Sequence, residues 1–201
     1  GPPRTRIVIA GADGAGKSRL IAALRRHLAG DLGRVKAQLA AMGMDPSLVM
    51  PLGEVELIEA PSYDVGEFAT QAKSRWSRPR GRETLEAAVD GDLLVLVHRI
   101  RTRSQVADLG FTRAWDEWFF HHPGRERPPA MLVITGVDEP FHDGLEPWSP
   151  PYNWAQGQRS RECQVRERML VFRGGLPPAF RDMIAVGLSE TQEFGVAEGL
   201  I

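Results

Sequence analysis

Gly11-Ala12-Asp13-Gly14-Ala15-Gly16-Lys17-Ser18 is the stretch whose residue types and spacing carry the most chemistry. It fits G-x-x-x-x-G-K-S, a phosphate-binding loop. Its glycines let the backbone curl so that successive N–H groups converge into a nest for an anion. Lys17 supplies a point charge for terminal phosphates, and Ser18 a hydroxyl ligand for Mg²⁺. The candidate cofactor-binding set is therefore Gly11, Ala12, Asp13, Gly14, Ala15, Gly16, Lys17, Ser18 and Arg19, with Lys17 and Asp13 as candidate catalytic groups. Two readings of Asp13 stand. Its carboxylate lies close to a terminal phosphate, where it repels the oxygens or positions a water or metal; or it turns outward in an ordinary Asx turn.

Such a loop works only between a strand end and a helix N-terminus, where the helix adds unsatisfied N–H donors and a positive dipole end. The flanks comply. Arg6 to Ala10 reads as a buried strand, and Leu20, Ile21, Leu24 and Leu28 recur at helical spacing. Further on, the pattern predicts strands at 55–59, 92–98, 130–135 and 183–188. Helices are predicted at 17–29, 82–90, about 104–121 and about 160–173, with a second short helix at 34–43 beyond Gly30 and Gly33. Phe111, Trp115, Trp118 and Phe119 share a face of the 104–121 helix and read as core. The basic stretch 64–80 and the Pro-, Trp- and Tyr-rich stretch 139–157 read as irregular. Strands alternating with helices predict an α/β fold: a three-layer, doubly wound, mainly parallel sheet of the P-loop NTPase kind, with ligands at the carboxyl ends of the strands.

Composition bounds the rest. The chain has 201 residues, 42% hydrophobic and 25% charged, enough for one α/β domain with a real core. A net charge of −1 gives no nucleic-acid signal. A lone cysteine, Cys163, excludes an internal disulfide and suits a reducing, cytoplasmic compartment. It makes no metal set with His98, His121 and His122. No apolar run approaches a membrane span. The chain starts Gly1-Pro2 and stops at Gly199-Leu200-Ile201, which reads as an excised piece: residues 5–201 as one nucleotide-binding domain, with any membrane contact left to flanking sequence.

The residues after the other strands are Glu59-Ala60-Pro61-Ser62, Thr135-Gly136-Val137-Asp138 and Ser189-Glu190. In this order the chain resembles Era-like P-loop GTPases, of the translation-factor-related class, and within them the bacterial ribosome-binding-GTPase-like group. Trp118 to Pro123 and Trp148-Ser149-Pro150-Pro151-Tyr152 add to that likeness, which runs along nearly the whole chain. The resemblance implies GTP or GDP with Mg²⁺ as cofactors. Lys17 then contacts the β- and γ-phosphates, and Ser18 and Glu59 serve the metal. Ser62 stands where the family has a glycine whose N–H meets the γ-phosphate. Asp138 accepts from the guanine edge, Gly136 stands where a lysine lies along the base, Thr135 ties this turn to the loop, and Ser189 sits over the base.

The departures bear on turnover. Glu59 is a methylene longer than the family's Asp, and Ser62 lacks the freedom of glycine. No Thr occurs between Gly30 and Glu54 to serve a first switch; Ser47 is the one hydroxyl side chain there. No Gln directly follows the 59–62 turn to orient a water. The expectation is a guanine-nucleotide-binding domain whose GTP hydrolysis is slow or partner-dependent, with a protein partner or a homodimer for activation. Two alternatives stay open. One is a non-hydrolysing interaction module. The other is a P-loop nucleotide kinase using Arg99, Arg101 and Arg103, or the arginines from Arg75 to Arg82, as a lid.

Overall fold

In the computed structural model, which describes residues 4–45, 54–63, 79–100, 105–138, 158–188 and 193–196, strands and helices alternate as expected. The order is β1 (Arg4–Ala10), α1 (Lys17–Ala41), β2 (Glu54–Glu59), α2 (Pro79–Val89), β3 (Leu93–Arg99), α3 (Gln105–His121), β4 (Ala130–Thr135), α4 (Gln158–Gly174) and β5 (Phe180–Ala185). Two short strands, β6 (Gly187–Leu188) and β7 (Glu193–Phe194), follow. The five main strands form one sheet in the order β2-β1-β3-β4-β5, with every pairing parallel. The chain leaves β1 for one edge, then returns past it to β3. The order therefore reverses at β1, the position at which such sheets open a crevice for ligands.

Burial on both faces explains the apolar runs of the central strands. Ile9, Val95, Val97 and Val133 point to the face covered by Leu20, Ile21, Ala23 and Leu24 of α1. Val8, Ala10, Leu94, Leu96, Leu132 and Ile134 point to the other face, against α2, α3 and α4. This is a three-layer α/β P-loop NTPase fold. Phe111, Trp115 and Phe119 are buried in the second layer as their spacing implies, and Trp118 is half-buried, stacked on His122 at 3.9 Å.

Two expectations need correction. The separate helix at 34–43 does not exist: α1 runs unbroken through Gly30 and Gly33 to Ala41. A glycine inside a helix costs only about 1 kcal/mol against alanine, and Arg34 to Ala41 are mostly good helix formers with no proline among them. The stop signal is Gly43, at φ 73°, with its N–H on Ala40 O (3.1 Å) and the Met44 N–H on Leu39 O (2.9 Å), a Schellman end. The last strand, expected at 183–188, begins three residues earlier, at Phe180, and ends at Ala185. Arg181 and Asp182 are exposed on this edge strand, so its apolar run understates its length. Beyond it, β6 pairs antiparallel with β7, whose Glu193 is tied to Arg26 (2.5 Å) and His27 (2.6 Å) of α1. The expected irregular stretch at 139–157, and all but the last two residues of that at 64–80, lie outside the described residues. No helix among the described residues is long and apolar enough to cross a membrane.

A Cβ at Gly30 or Gly33 meets nothing within 4 Å. Gly30→Ala and Gly33→Ala are each expected to stabilise the chain by roughly 0.5–1 kcal/mol, measured by chemical denaturation. An unmoved midpoint in the double variant would show that α1 frays beyond Gly30 in solution.

Candidate nucleotide-binding site

The loop from Gly11 to Gly16 leaves β1 in the middle of the sheet and runs straight into α1. It has to be tight. A Cβ on Gly11 would stand 2.5 Å from Val97 O of the neighbouring strand, so only glycine fits there. Gly16 takes φ 102° at the N-cap of α1, packed 3.5 Å from Thr135 as measured from a Cβ in its place. The Ala15 N–H closes back on Ala12 O at 3.2 Å.

Lys17, the first residue of α1, turns back under this loop and is only 4% exposed. Its ammonium donates to Gly11 O (2.9 Å), Ala12 O (3.2 Å) and Ser62 Oγ (2.7 Å). Loss of hydration lowers its pKa below the usual 10.5, and the negative fields of Glu59, Asp13 and Asp108 oppose that shift. Beside it, Ser18 Oγ donates to Glu59 Oε1 at 2.8 Å, the extra methylene of Glu59 letting the carboxylate reach the hydroxyl directly. These are two hard oxygen donors at one point, which fits Mg²⁺ completed by phosphate oxygens and water. Among the described residues, no group of three or more His, Cys, Asp or Glu is placed to hold a metal alone.

At the other end of the site, Thr135 closes β4 and its hydroxyl donates to Ala15 O at 2.6 Å. That bond draws the turn at 136–138 against the loop. Gly136, at φ 76°, and the half-buried Asp138 then face the same opening. The opening holds about 500 Å³ and is lined by Asp13 to Arg19, Glu59, Ser62, Arg99, Thr135, Gly136, Asp138 and Leu188. The structure thus gathers Asp13, Gly14, Ala15, Gly16, Lys17, Ser18, Arg19, Glu59, Thr135, Gly136 and Asp138 around one pocket, while Gly11 and Ala12 are buried and give their carbonyls to Lys17. Asp13 is exposed, and its N–H rather than its carboxylate holds the loop, donating to Tyr63 O at 3.3 Å. Ser189 lies outside the described residues.

Sequence reasoning missed two features. Arg99 lines the pocket because β3 ends there, in register with Thr135 of β4, and alternation puts its side chain on the loop side with Val95 and Val97. From sequence it enters the alternative of a kinase lid, not the nucleotide pocket itself. The second is a buried polar network behind Ser62. Tyr63, fully buried, donates its hydroxyl to Asp108 Oδ1, and Asp108 Oδ2 meets His98 Nδ1 at 2.6 Å. The Tyr63 ring stacks on Phe111 and the His98 ring on Phe172, with centroids 5.2 and 3.8 Å apart. The available signal was an Asp inside the apolar face of a helix and a His ending an apolar strand: buried polar groups need partners, and each is the other's.

No protein-family model matches the chain, and no curated protein matches it. Among solved structures it is similar to a variant of SsGBP, with TM-score 0.45 and 12% identity over 92% of this chain. It is also similar to the G domain of the T. maritima FeoB iron transporter, with TM-score 0.39 and 14% identity over 98% of this chain and 94% of that one. A third likeness is to the S. cerevisiae Ski7 GTPase-like domain bound to GTP, with TM-score 0.43, 12% identity and 92% coverage of this chain. The chain spans about half the length of the SsGBP chain, 50%, and 43% of the Ski7 chain.

The Tyr63 network makes stability depend on alkaline pH. Burial first, then the charge and hydrogen bond of Asp108, raise the Tyr63 pKa well above its ordinary 10.0. The unfolded phenol ionises near pH 10 while the folded one keeps its proton, so this stabilisation is complete below pH 10 and is lost as pH rises beyond it. Tyr63→Phe is expected to cost about 1–3 kcal/mol at neutral pH, by leaving a buried carboxylate oxygen without its donor, and to flatten the alkaline limb. Thermal melts from pH 7 to 11 read both effects.

Proposed function

We propose that this chain is a guanine-nucleotide-binding domain of Era-like character that uses Mg²⁺ and hydrolyses GTP slowly, or only with a protein partner or a second copy. The observation that carries the reading is the placement of both halves of the site on one opening. A buried lysine and a Ser–Glu oxygen pair lie at one end, and Asp138 lies at the other, drawn in by the Thr135–Ala15 bond. The loop amides and the N-terminus of α1 bind phosphate oxygens. Lys17 neutralises the terminal phosphates from below. Ser18 and Glu59 would hold Mg²⁺, which supplies charge neutralisation between phosphate oxygens. Asp138 accepts from the N1–H and N2 amino groups of guanine, a donor pair adenine does not offer.

Slow turnover follows from what positions the water. Phosphoryl transfer is governed by orientation and by positive charge on the transferred group, and an arginine supplied by a partner can dominate its rate. One observation favours the alternative of a non-hydrolysing module: the segment after β2, which should rearrange during a catalytic cycle, is bonded at Ala60 to Ile9 O (2.9 Å) and at Pro61 to Thr84 Oγ1 (2.7 Å).

Thermal shift with GTP, GDP and ATP, with Mg²⁺ or with EDTA, tests the reading. Guanine nucleotide at a hundredfold excess over Kd is expected to add about 2.7 kcal/mol, a rise of several degrees, while ATP adds none. Lys17→Ala abolishes the shift, and Asp138→Asn removes the preference for guanine. Equal stabilisation by ATP and GTP takes base recognition away from Asp138, and phosphate transfer from ATP to a nucleoside monophosphate makes the protein a kinase.

A further inference from the structure

Deepening the nucleotide reading, on which it rests, we propose that Ser62 is the residue that distinguishes a triphosphate from a diphosphate. It does so by accepting from Lys17 and donating its own hydroxyl proton to the terminal phosphate. An ammonium has three donors. In Lys17 they are directed to Gly11 O, Ala12 O and Ser62 Oγ. Two of these acceptors are carbonyls of the loop itself. The third is a side chain on a different element, reached across the pocket.

A serine hydroxyl has two lone pairs and one proton. Receiving the Lys17 bond at 2.7 Å uses a lone pair and turns the O–H away from the ammonium. Ser62 lines the pocket together with Ser18 and Glu59, so that proton is available on the side where phosphate and metal chemistry converge.

The backbone carrying Ser62 is pinned on both sides. Ala60 N–H donates to Ile9 O at 2.9 Å, and Pro61 O accepts from Thr84 Oγ1 at 2.7 Å. Tyr63 pairs with Ala12 in a parallel bridge and is held through its hydroxyl by Asp108, itself fixed by His98. A backbone so held does not need to swing to bring an amide to the phosphate. A fixed side-chain hydroxyl does the recognition instead, and a diphosphate, one phosphoryl group shorter, leaves it bonded to Lys17 alone. Tyr63, Asp108 and His98 are positioning residues for it. Asp13 and Glu59 also line the pocket and repel a terminal phosphate in the absence of metal, so the discrimination requires Mg²⁺.

Isothermal titration of the full chain with GDP and with a non-hydrolysable GTP analogue, both with Mg²⁺, tests this on wild type, Ser62→Ala and Ser62→Thr. A hydrogen bond to a charged group sets the expected loss at about tenfold or more in analogue affinity for Ser62→Ala. GDP affinity should fall clearly less than analogue affinity, because the bond to Lys17 is lost with either nucleotide and the bond to the third phosphate only with the analogue. Ser62→Thr, which keeps the hydroxyl, should restore most of the analogue affinity. An equal loss for both nucleotides reduces Ser62 to a structural prop for Lys17, and a gain for the analogue makes it a competitor for Lys17; either overturns the proposal. If wild type binds both nucleotides and Ser62→Ala changes neither, nucleotide binding stands and the role of Ser62 falls. If wild type binds neither, both fall together.

Discussion

The buried ammonium of Lys17 is the constraint on which the rest of the site depends. A cation at 4% exposure is tolerated only where hydrogen bonds replace its lost water, and here three oxygens do so. Two come from the loop itself and the third from Ser62, 45 residues beyond Lys17 in sequence. Satisfying one side chain therefore fixes the curl of the loop and brings the end of β2 against it. The pocket floor results from the same bonds: the Gly11 and Ala12 carbonyls turn to Lys17, while the Asp13 and Ala15 N–H groups close on Tyr63 O and Ala12 O.

A second set of bonds locks the remaining strand ends to this floor. Thr135 takes Ala15 O, Thr84 holds Pro61 O, and Tyr63 reaches through the sheet end to Asp108 and His98. Each joins the loop or its neighbour to a different helix or strand. The parallel sheet makes this possible: all five strands present their carboxyl ends on one side, so residues distant in sequence converge without long loops. The core beneath is made of alternating side chains of β1, β3 and β4, buried on both faces, which keeps those strand ends in register.

Much of this was legible in the sequence, for identifiable reasons. The phosphate loop needs a strand before it and a helix after it, and both periodicities flank Gly11 to Ser18. The buried strands announced themselves as apolar runs, and the aromatic stripe of α3 as a helical face. What failed did so where local signals are ambiguous. Gly30 and Gly33 looked like breaks because a glycine marks a helix end only when the chain there takes positive φ, as at Gly43, and composition does not reveal φ. The start of β5 was hidden by Arg181 and Asp182, which an edge strand exposes. The polar partners were out of reach altogether. Nothing in spacing says that Ser62 meets Lys17, or that Tyr63, His98 and Asp108 meet one another, because those pairings arise only when four elements pack.

The charges around the pocket carry one last consequence. Lys17, Arg19 and Arg99 line it, and so do Asp13, Glu59 and Asp138. Among the described residues, three cations stand against three carboxylates, which leaves no surplus positive charge there with which to hold several phosphate charges. The loop amides and the dipole of α1 offset part of that deficit, each as a partial charge only. Glu59 adds to it at the very point where Ser18 offers a hydroxyl. A divalent cation there would remove the conflict, neutralising the carboxylate and taking both oxygens, as the proposed function requires. Glu59 is long enough to deliver its oxygen to Ser18 directly. Under the proposed function, the Ser18–Glu59 pair would set the electrostatic condition for the lysine to act, coupled to it through charge as Ser62 is through its bond to Lys17.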